Sequence, residues 1–324
     1  KEAMFLQIGH QHPIIAGHIA RRTPVDPAKL TILQQTLDPA LLNEAGADIM
    51  ILHKQWDDAE GKTEAFTRSQ LGEPIFQDAE YAVFNAPESD EQTVFTSVLT
   101  TQTIVTGQAD SYLYTPASGW VLLSQKIKAD GRDVILSLNG RPLHKWYVDG
   151  EVDSEVPLFL PAAGYYTVSH ALEPACPTIA NPVLACRSLE LSALALSDLL
   201  PAETQNPVVF EYGVALNAAH VDYGKDSGLS VWLDWDFAAP RTETDIRFVH
   251  VVDEAGNLVA QDDKPSGVQA AGEGWAEVVS INLPADLAPG EYQVYVGWYA
   301  YPDTTPFPIL SDVPDAQSGV LEVG

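Results

Sequence analysis

The chain has 324 residues, 46% of them hydrophobic, with 45 Asp and Glu against 17 Lys and Arg, a formal net charge of −28 and a pI near 4.3. The length suggests two or three domains with real cores, and the composition excludes a disordered or low-complexity chain. An acidic surface on this scale repels phosphate backbones, which excludes nucleic acid as a partner.

The first segment, QIGHQHPIIAGHIARR over residues 7–22, concentrates His10, His12, His18, Arg21 and Arg22. A His-x-His pair on a strand puts both rings on one face, and imidazole suits zinc or copper. No carboxylate or cysteine lies nearby in sequence to complete a shell, so no metal and no other cofactor is expected. Ligand contact and structural hydrogen bonding within the loop both remain open for the histidines. The two guanidinium groups suit an anionic partner or a surface ion pair. These five residues are the candidate ligand-binding set.

Leu30, Leu33, Leu37, Leu41 and Leu42 then recur at helical spacing over Ala28–Leu37 and Pro39–Ala45, with a break at Pro39 and a stop at Gly46. Ile49–Leu52 is a run of four apolar residues and reads as a short strand buried on both faces. Asp57–Leu71 reads as a helix with Ala65, Phe66 and Leu71 inward, ending at Gly72. PIFQDAEYAVFN gives two short strands around a polar turn. Residues 1–88 thus form a small α/β domain.

Residues 89–200 change character. VFTSVLT, GWVLLSQKI, RDVILSL, LHKWYV, EVPLFL and GYYTVSHAL are strand-like, with turn signals at Ala129-Asp130-Gly131, Asn139-Gly140 and Asp149-Gly150. Short strands at this spacing indicate a β-sandwich, here taken as jelly-roll-like. The two cysteines of the chain, Cys176 and Cys186, bracket a nine-residue loop that can close as a disulfide, and a disulfide implies an oxidising compartment. A reduced pair is the competing reading.

After a proline-bounded linker, PAETQNP, residues 201–324 carry 20 of the acidic residues and 4 of the basic ones. VVFEYGVAL, LSVWLDWDF, DIRFVHVVD, NLVAQDD, WAEVVSINL, GEYQVYVGWYA and GVLEV predict a second sandwich. Alternation places Val231, Leu233 and Trp235 on one face and Trp232, Asp234 and Asp236 on the other. Asp234 and Asp236 share a face and are a weak calcium candidate without a glycine-rich ligand loop. Asp57-Asp58 and Asp262-Asp263 are adjacent, face opposite ways on a strand, and read as solvated turns and not as acid/base pairs. Trp298, Tyr299 and Tyr301 are a candidate sugar-stacking strip, against the alternative of core packing. No Gly-x-Ser-x-Gly, Gly-x-Gly-x-x-Gly or P-loop occurs, and no catalytic residue is assigned.

Three ordered segments, QIGHQHPIIAGHIARR, GADIMILHKQW at 46–56 and LGEPIFQDAEYAVFNAP at 71–87, resemble the region that follows the last membrane span of large bacterial polytopic membrane glycosyltransferases. FVHVVDEAGNLVAQDD and LPADLAPGEYQVYVGWY resemble the hairpin and late strands of immunoglobulin-like accessory domains found behind such enzymes. The resemblance implies sugar transfer from a lipid-phosphate donor by a membrane-embedded portion that is absent here. It further implies that this chain is a non-catalytic region on the extracytoplasmic face of the membrane, positioning acceptor or cell-surface glycan. The start at Lys1, with no export signal, reads as a fragment of such a protein. A glycan or a lipid-phosphate headgroup is the implied partner. The alternative is a secreted carbohydrate-binding or adhesive β-sandwich protein. The expected architecture is mainly β: a small N-terminal α/β domain (1–88), a jelly-roll-like sandwich (89–200) and an immunoglobulin-like sandwich (201–324).

Overall fold

The computed structural model describes residues 26–57, 60–86, 88–100, 103–104, 108–173, 189–202, 206–223, 228–312, 316–317 and 319–323. The chain is mainly β and divides into two compact units. The first comprises the described residues up to 98 with 111–116 and 163–166; the second comprises the rest.

In the first unit, two Asp-Pro steps start two helices, α1 (Pro27–Thr36) and α2 (Pro39–Glu44). Asp26 and Asp38 cap them, accepting from Ala28 N at 2.8 Å and Leu41 N at 3.0 Å, and each proline sits at the first helical position, where no amide hydrogen is needed. Ile32, Leu33, Leu37, Leu41 and Leu42 pack with Tyr114 into one core. Strand β1 (Ile49–His53) and helix α3 (Lys62–Leu71) precede β2 (Phe76–Gln77) and β3 (Tyr81–Asn85), which complete an antiparallel sheet in the order β1-β3-β2.

Two expectations fail in this unit. Ile49 and Ile51 are 48% and 36% exposed, because alternation puts Met50 and Leu52, paired with the buried Phe84 and Ala82, on one face of the sheet and leaves Ile49 and Ile51 on the open one. Phe66 and Ala65 also face outward; α3 begins at Lys62, where Asp57 accepts from Thr63 N and Glu64 N at 3.0 Å, and the residue it buries is Thr67.

An eight-stranded sheet contains β4 (Thr96–Val98), β5 (Thr103–Ile104), β6 (Gln108–Thr115), β7 (Gly119–Leu138), β8 (Arg141–Leu160), β9 (Gly164–Glu173), β10 (Leu189–Leu196) and β11 (Leu200–Pro201). Its spine is the β7–β8 hairpin, two strands of 20 residues joined at Asn139-Gly140. Both turn residues have positive φ, 50° and 79°, as a two-residue hairpin loop demands. Ala129-Asp130-Gly131 and Asp149-Gly150, expected as turns, instead lie opposite each other inside this hairpin. Gly131, at φ 65°, sits in a register shift between Asp130 and Arg132, so the strand bulges and continues. The N-terminal half of β7 pairs with β10 and the C-terminal half with β9. Between the halves lies a core of Ile127, Val134, Val148, Leu172, Leu189 and Leu191. Inside this part, His170 Nε2 donates to Gln125 Oε1 at 2.6 Å, both side chains buried. Burial pushes the His170 imidazole down to about 4, so the ring is neutral at physiological pH.

The C-terminal sandwich has two antiparallel sheets. Strands β12 (Val208–Phe210), β13 (Val214–Tyr223), β14 (Gly228–Phe237), β15 (Asp245–Asp253), β16 (Leu258–Pro265), β17 (Gly274–Asn282), β18 (Tyr292–Ala300), β19 (Ala316–Gln317) and β20 (Val320–Glu322) follow in chain order. One sheet has the order β12-β13-β14-β17 and the other β16-β15-β18-β20-β19. All seven predicted strand segments are present; VVFEYGVAL is split at Glu211–Gly213, where Tyr212 takes φ 61°. Val231, Leu233 and Trp235 enter the core, as the alternation predicts, with Val249, Val251, Trp275, Val279, Val294, Val296 and Trp298. Trp298 stands edge-on to Trp235 (5.4 Å, 87°) and Phe237 (5.6 Å, 86°). Each buried Val, Ile, Leu or Phe contributes about 1.5–3 kcal/mol, so this core holds the sandwich together.

Candidate functional site

The opposite face of β14 carries Trp232, Asp234 and Asp236, and it is covered. Trp232 packs with Trp120, Phe159 and Ala218. Arg141, at the start of β8, donates from Nε to Asp236 at 2.6 Å and binds Asp234 through both terminal nitrogens. Asn217 donates to both carboxylates, at 3.1 and 2.9 Å. The shared-face pair is therefore occupied by a guanidinium, and it is not a calcium site.

The cluster of His10, His12, His18, Arg21 and Arg22 lies outside the described residues, as do Cys176 and Cys186. The third expectation, the aromatic strip, is corrected in part. Trp298 is fully buried in the sandwich core and presents no face to a ligand. Tyr299, one residue on, points to the opposite side of β18 and reaches the surface, and Tyr301 is 65% exposed.

Tyr299 belongs to the outward face of the five-stranded sheet, and the pairing register assembles that face in rows. Pro265, Ile246 and Tyr299 are cross-strand neighbours, as are Asp263, Phe248, Gly297 and Val320, and then Gln261, His250, Tyr295 and Glu322. The Phe248 ring lies beside Gly297, where a side-chain carbon would approach its Cε1 to 2.8 Å and Gly319 O to 2.7 Å. A glycine at this position lets the ring lie along the sheet. Tyr299 stacks on one side of Phe248 (6.2 Å, 25°) and His250 on the other (4.6 Å, 34°), so Phe248 is only 2% exposed although it belongs to an outer face.

Asp263 ties these rings together. Its Oδ2 accepts from Tyr299 Oη at 3.0 Å and its Oδ1 from His250 Nε2 at 3.1 Å. Along the next row, Tyr295 Oη donates to Gln293 Oε1 at 3.0 Å, and Gln293 Nε2 donates to Glu322 at 3.1 and 3.2 Å. Partial burial, reinforced by the adjacent carboxylates, raises both phenols above their ordinary range, so both keep their protons and stay hydrogen-bond donors. The outcome is a face of half-buried rings, hydroxyls, a carboxamide and two carboxylates, held by bonds among its own members.

Sequence reasoning named Tyr299 and missed Asp263, His250, Tyr295 and Glu322. Asp263 read as part of a solvated turn; it lies instead in β16, with Asp262 on the opposite side bound to Arg247 at 2.6 Å. The signal that could have found the set is alternation itself: Phe248 and His250, like Tyr295, Gly297 and Tyr299, recur at every second position.

No family model and no curated protein matches the sequence. Among solved structures, the chain is similar to a β-galacturonidase from Eisenbergiella tayi (13% identity, 70% of this chain and 39% of that one, TM-score 0.20). It is similar to a Bacteroides uniformis β-glucuronidase (14% identity, 60% and 25%, TM-score 0.20). A glycosyl hydrolase family 2 member from Bacteroides cellulosilyticus gives 13% identity, 78% and 33%, and a TM-score of 0.21. The chain spans about a quarter to two fifths of the length of these proteins. Superposition at this level defines neither a shared fold nor a shared chemistry.

Proposed function

We propose that this chain is a non-catalytic glycan-engaging region of a membrane glycosyltransferase-like protein, held on the extracytoplasmic face, with the outward sheet face around Tyr299 as the surface that meets sugar. The observation that carries the glycan reading is the joining of the half-exposed Tyr299 and His250 rings through Asp263, with the buried Phe248 ring as their backing. Sugar rings present C–H faces that rest on aromatic surfaces and hydroxyls that donate to carboxylates, and this face supplies both partners without a deep cleft. The membrane-enzyme origin rests on the resemblance of the N-terminal and C-terminal segments and adds the role of holding acceptor or cell-surface glycan.

A glycan array probed with the whole chain tests the reading. Binding to at least one oligosaccharide class, lost on Tyr299→Ala and Asp263→Ala with the thermal transition retained, is the expected result. A blank array, or binding untouched by both substitutions, would overturn it. A secreted carbohydrate-binding protein would give the same result; the coding sequence upstream of Lys1 separates the two. Several apolar segments of about 20 residues each support the membrane reading, and a cleavable signal peptide directly upstream refutes it.

A further inference from the structure

We infer that this face selects glycans carrying free amino groups, de-N-acetylated hexosamine chains, over neutral and uronic-acid chains. The inference rests on the glycan reading above and names its ligand class.

Charge decides the class. The outward rows of β16, β15, β18 and β20 contain Asp263 and Glu322 and no Lys or Arg. The basic residues of the same strands, Arg247 and Lys264, occupy the alternate positions, where Arg247 is buried against Glu277 and Lys264 lies over the Trp275 ring at 5.4 Å. Neither is available to neutralise the outer carboxylates. The surrounding sequence deepens the field, since residues 201–324 hold 20 acidic and 4 basic residues. A uronic acid chain would bring like charge to this surface, whereas an ammonium group would bring the opposite charge.

Hydrogen-bond capacity points the same way. A carboxylate offers about four acceptor directions, two on each oxygen. Asp263 uses one on each oxygen, for His250 and Tyr299, and Glu322 accepts from Gln293 on each of its oxygens. About two directions on Asp263 remain for a ligand, and fewer on Glu322, which also meets the Tyr295 hydroxyl. An ammonium group has three donors and no acceptor, so it fills acceptor-rich positions and forms the stronger, charge-assisted bond. A neutral sugar hydroxyl fills them with a weaker bond, and an N-acetyl group takes the amine's charge away. The half-exposed rings of His250, Tyr295 and Tyr299 give the sugar body its contact.

Calorimetric titration of the whole chain with glucosamine hexasaccharide, N-acetylglucosamine hexasaccharide, cellohexaose and hexagalacturonate at pH 6 tests the inference. The expected order places the glucosamine chain first, roughly tenfold tighter than either neutral chain for one charge-assisted bond, with no binding of the uronate. Asp263→Asn and Glu322→Gln should each reduce that preference, and the preferred affinity should fall with added salt. Equal or tighter binding of a neutral chain overturns the selectivity and leaves the glycan reading intact. Tighter binding of the uronate also overturns the selectivity. Failure of all four chains to bind, together with a blank array, removes both.

Discussion

Arg247 and Glu277 face each other inside the C-terminal sandwich as a bidentate ion pair, with Nε–Oε1 at 2.8 Å and Nη2–Oε2 at 2.9 Å. They come from opposite sheets, β15 and β17, at positions in step with core residues Val249 and Trp275. Arg247 is 1% exposed and its remaining donor, Nη1, is taken by Asp262 through both side chain and carbonyl. Burial pushes the Glu277 carboxyl up from its ordinary value against the pull of Arg247. Removing the cation alone should therefore be far worse than removing both charges.

Arg247→Met is expected to destabilise the protein by about 3–5 kcal/mol, because it strands a buried carboxylate. Arg247→Met combined with Glu277→Leu should recover most of that loss. Urea unfolding of the two variants checks this, and equal losses in both would contradict it.

Arg141 makes the same kind of contact with Asp234 and Asp236. Asp234 is 1% exposed, so Arg141→Ala should cost about 3 kcal/mol, and Arg141→Lys should recover only part of it, since an ammonium cannot reproduce the planar fork. Differential scanning calorimetry on the three proteins reads the order directly.

His170 gives the fold a dependence on acid. Its pKa falls to about 4 in the folded state from an ordinary value of 6.5, so between these values the unfolded chain takes up a proton that the folded chain refuses. Its contribution to stability is complete above pH 6.5 and is lost as pH falls, reaching about 3 kcal/mol at pH 4. His170→Gln should flatten the stability profile over that window. Chemical denaturation at pH 7, 5.5 and 4 would show it, and an unchanged slope would count against the assignment.

Gly297→Ala should displace the Phe248 ring and with it the stacked Tyr299 and His250. We expect a loss of about 1–3 kcal/mol from overpacking and a larger fractional loss of glycan binding than of stability. Near-ultraviolet circular dichroism, which reports ring packing, together with the array signal, checks it.

Much of the fold was legible in the sequence. Asp26-Pro27 and Asp38-Pro39 mark two helix starts by chemistry that acts within one turn, and Asn139-Gly140 marks its hairpin for the same reason. Alternation sorted the two faces of β14 correctly. It could not say what would cover the outer one, because Arg141 lies 93 residues from Asp234. Gly131 and Gly150 were misread as chain reversals, since a glycine at positive φ serves a bulge as well as a turn and only the partner strand distinguishes them. Ile49 and Ile51 misled because an apolar run looks identical whether one face or two are covered. Of the candidate site, Tyr299 alone stood out by type, whereas Asp263, His250, Tyr295 and Glu322 become a set only through the register of four strands.

The β7–β8 hairpin also bears on how the chain reaches this structure. Its two strands pair from Leu138 and Arg141 at the turn to Gly119 and Leu160 at the far end. A two-residue loop closes quickly, on the order of microseconds for a hairpin, and every later pair adds next to one already made. The ribbon can thus zip before any distant partner arrives, bending at Gly131 as it grows. It then offers the free edge of β7 as a template to β9 and β10, so the slow, non-local pairings of the sheet are made on a surface already in place.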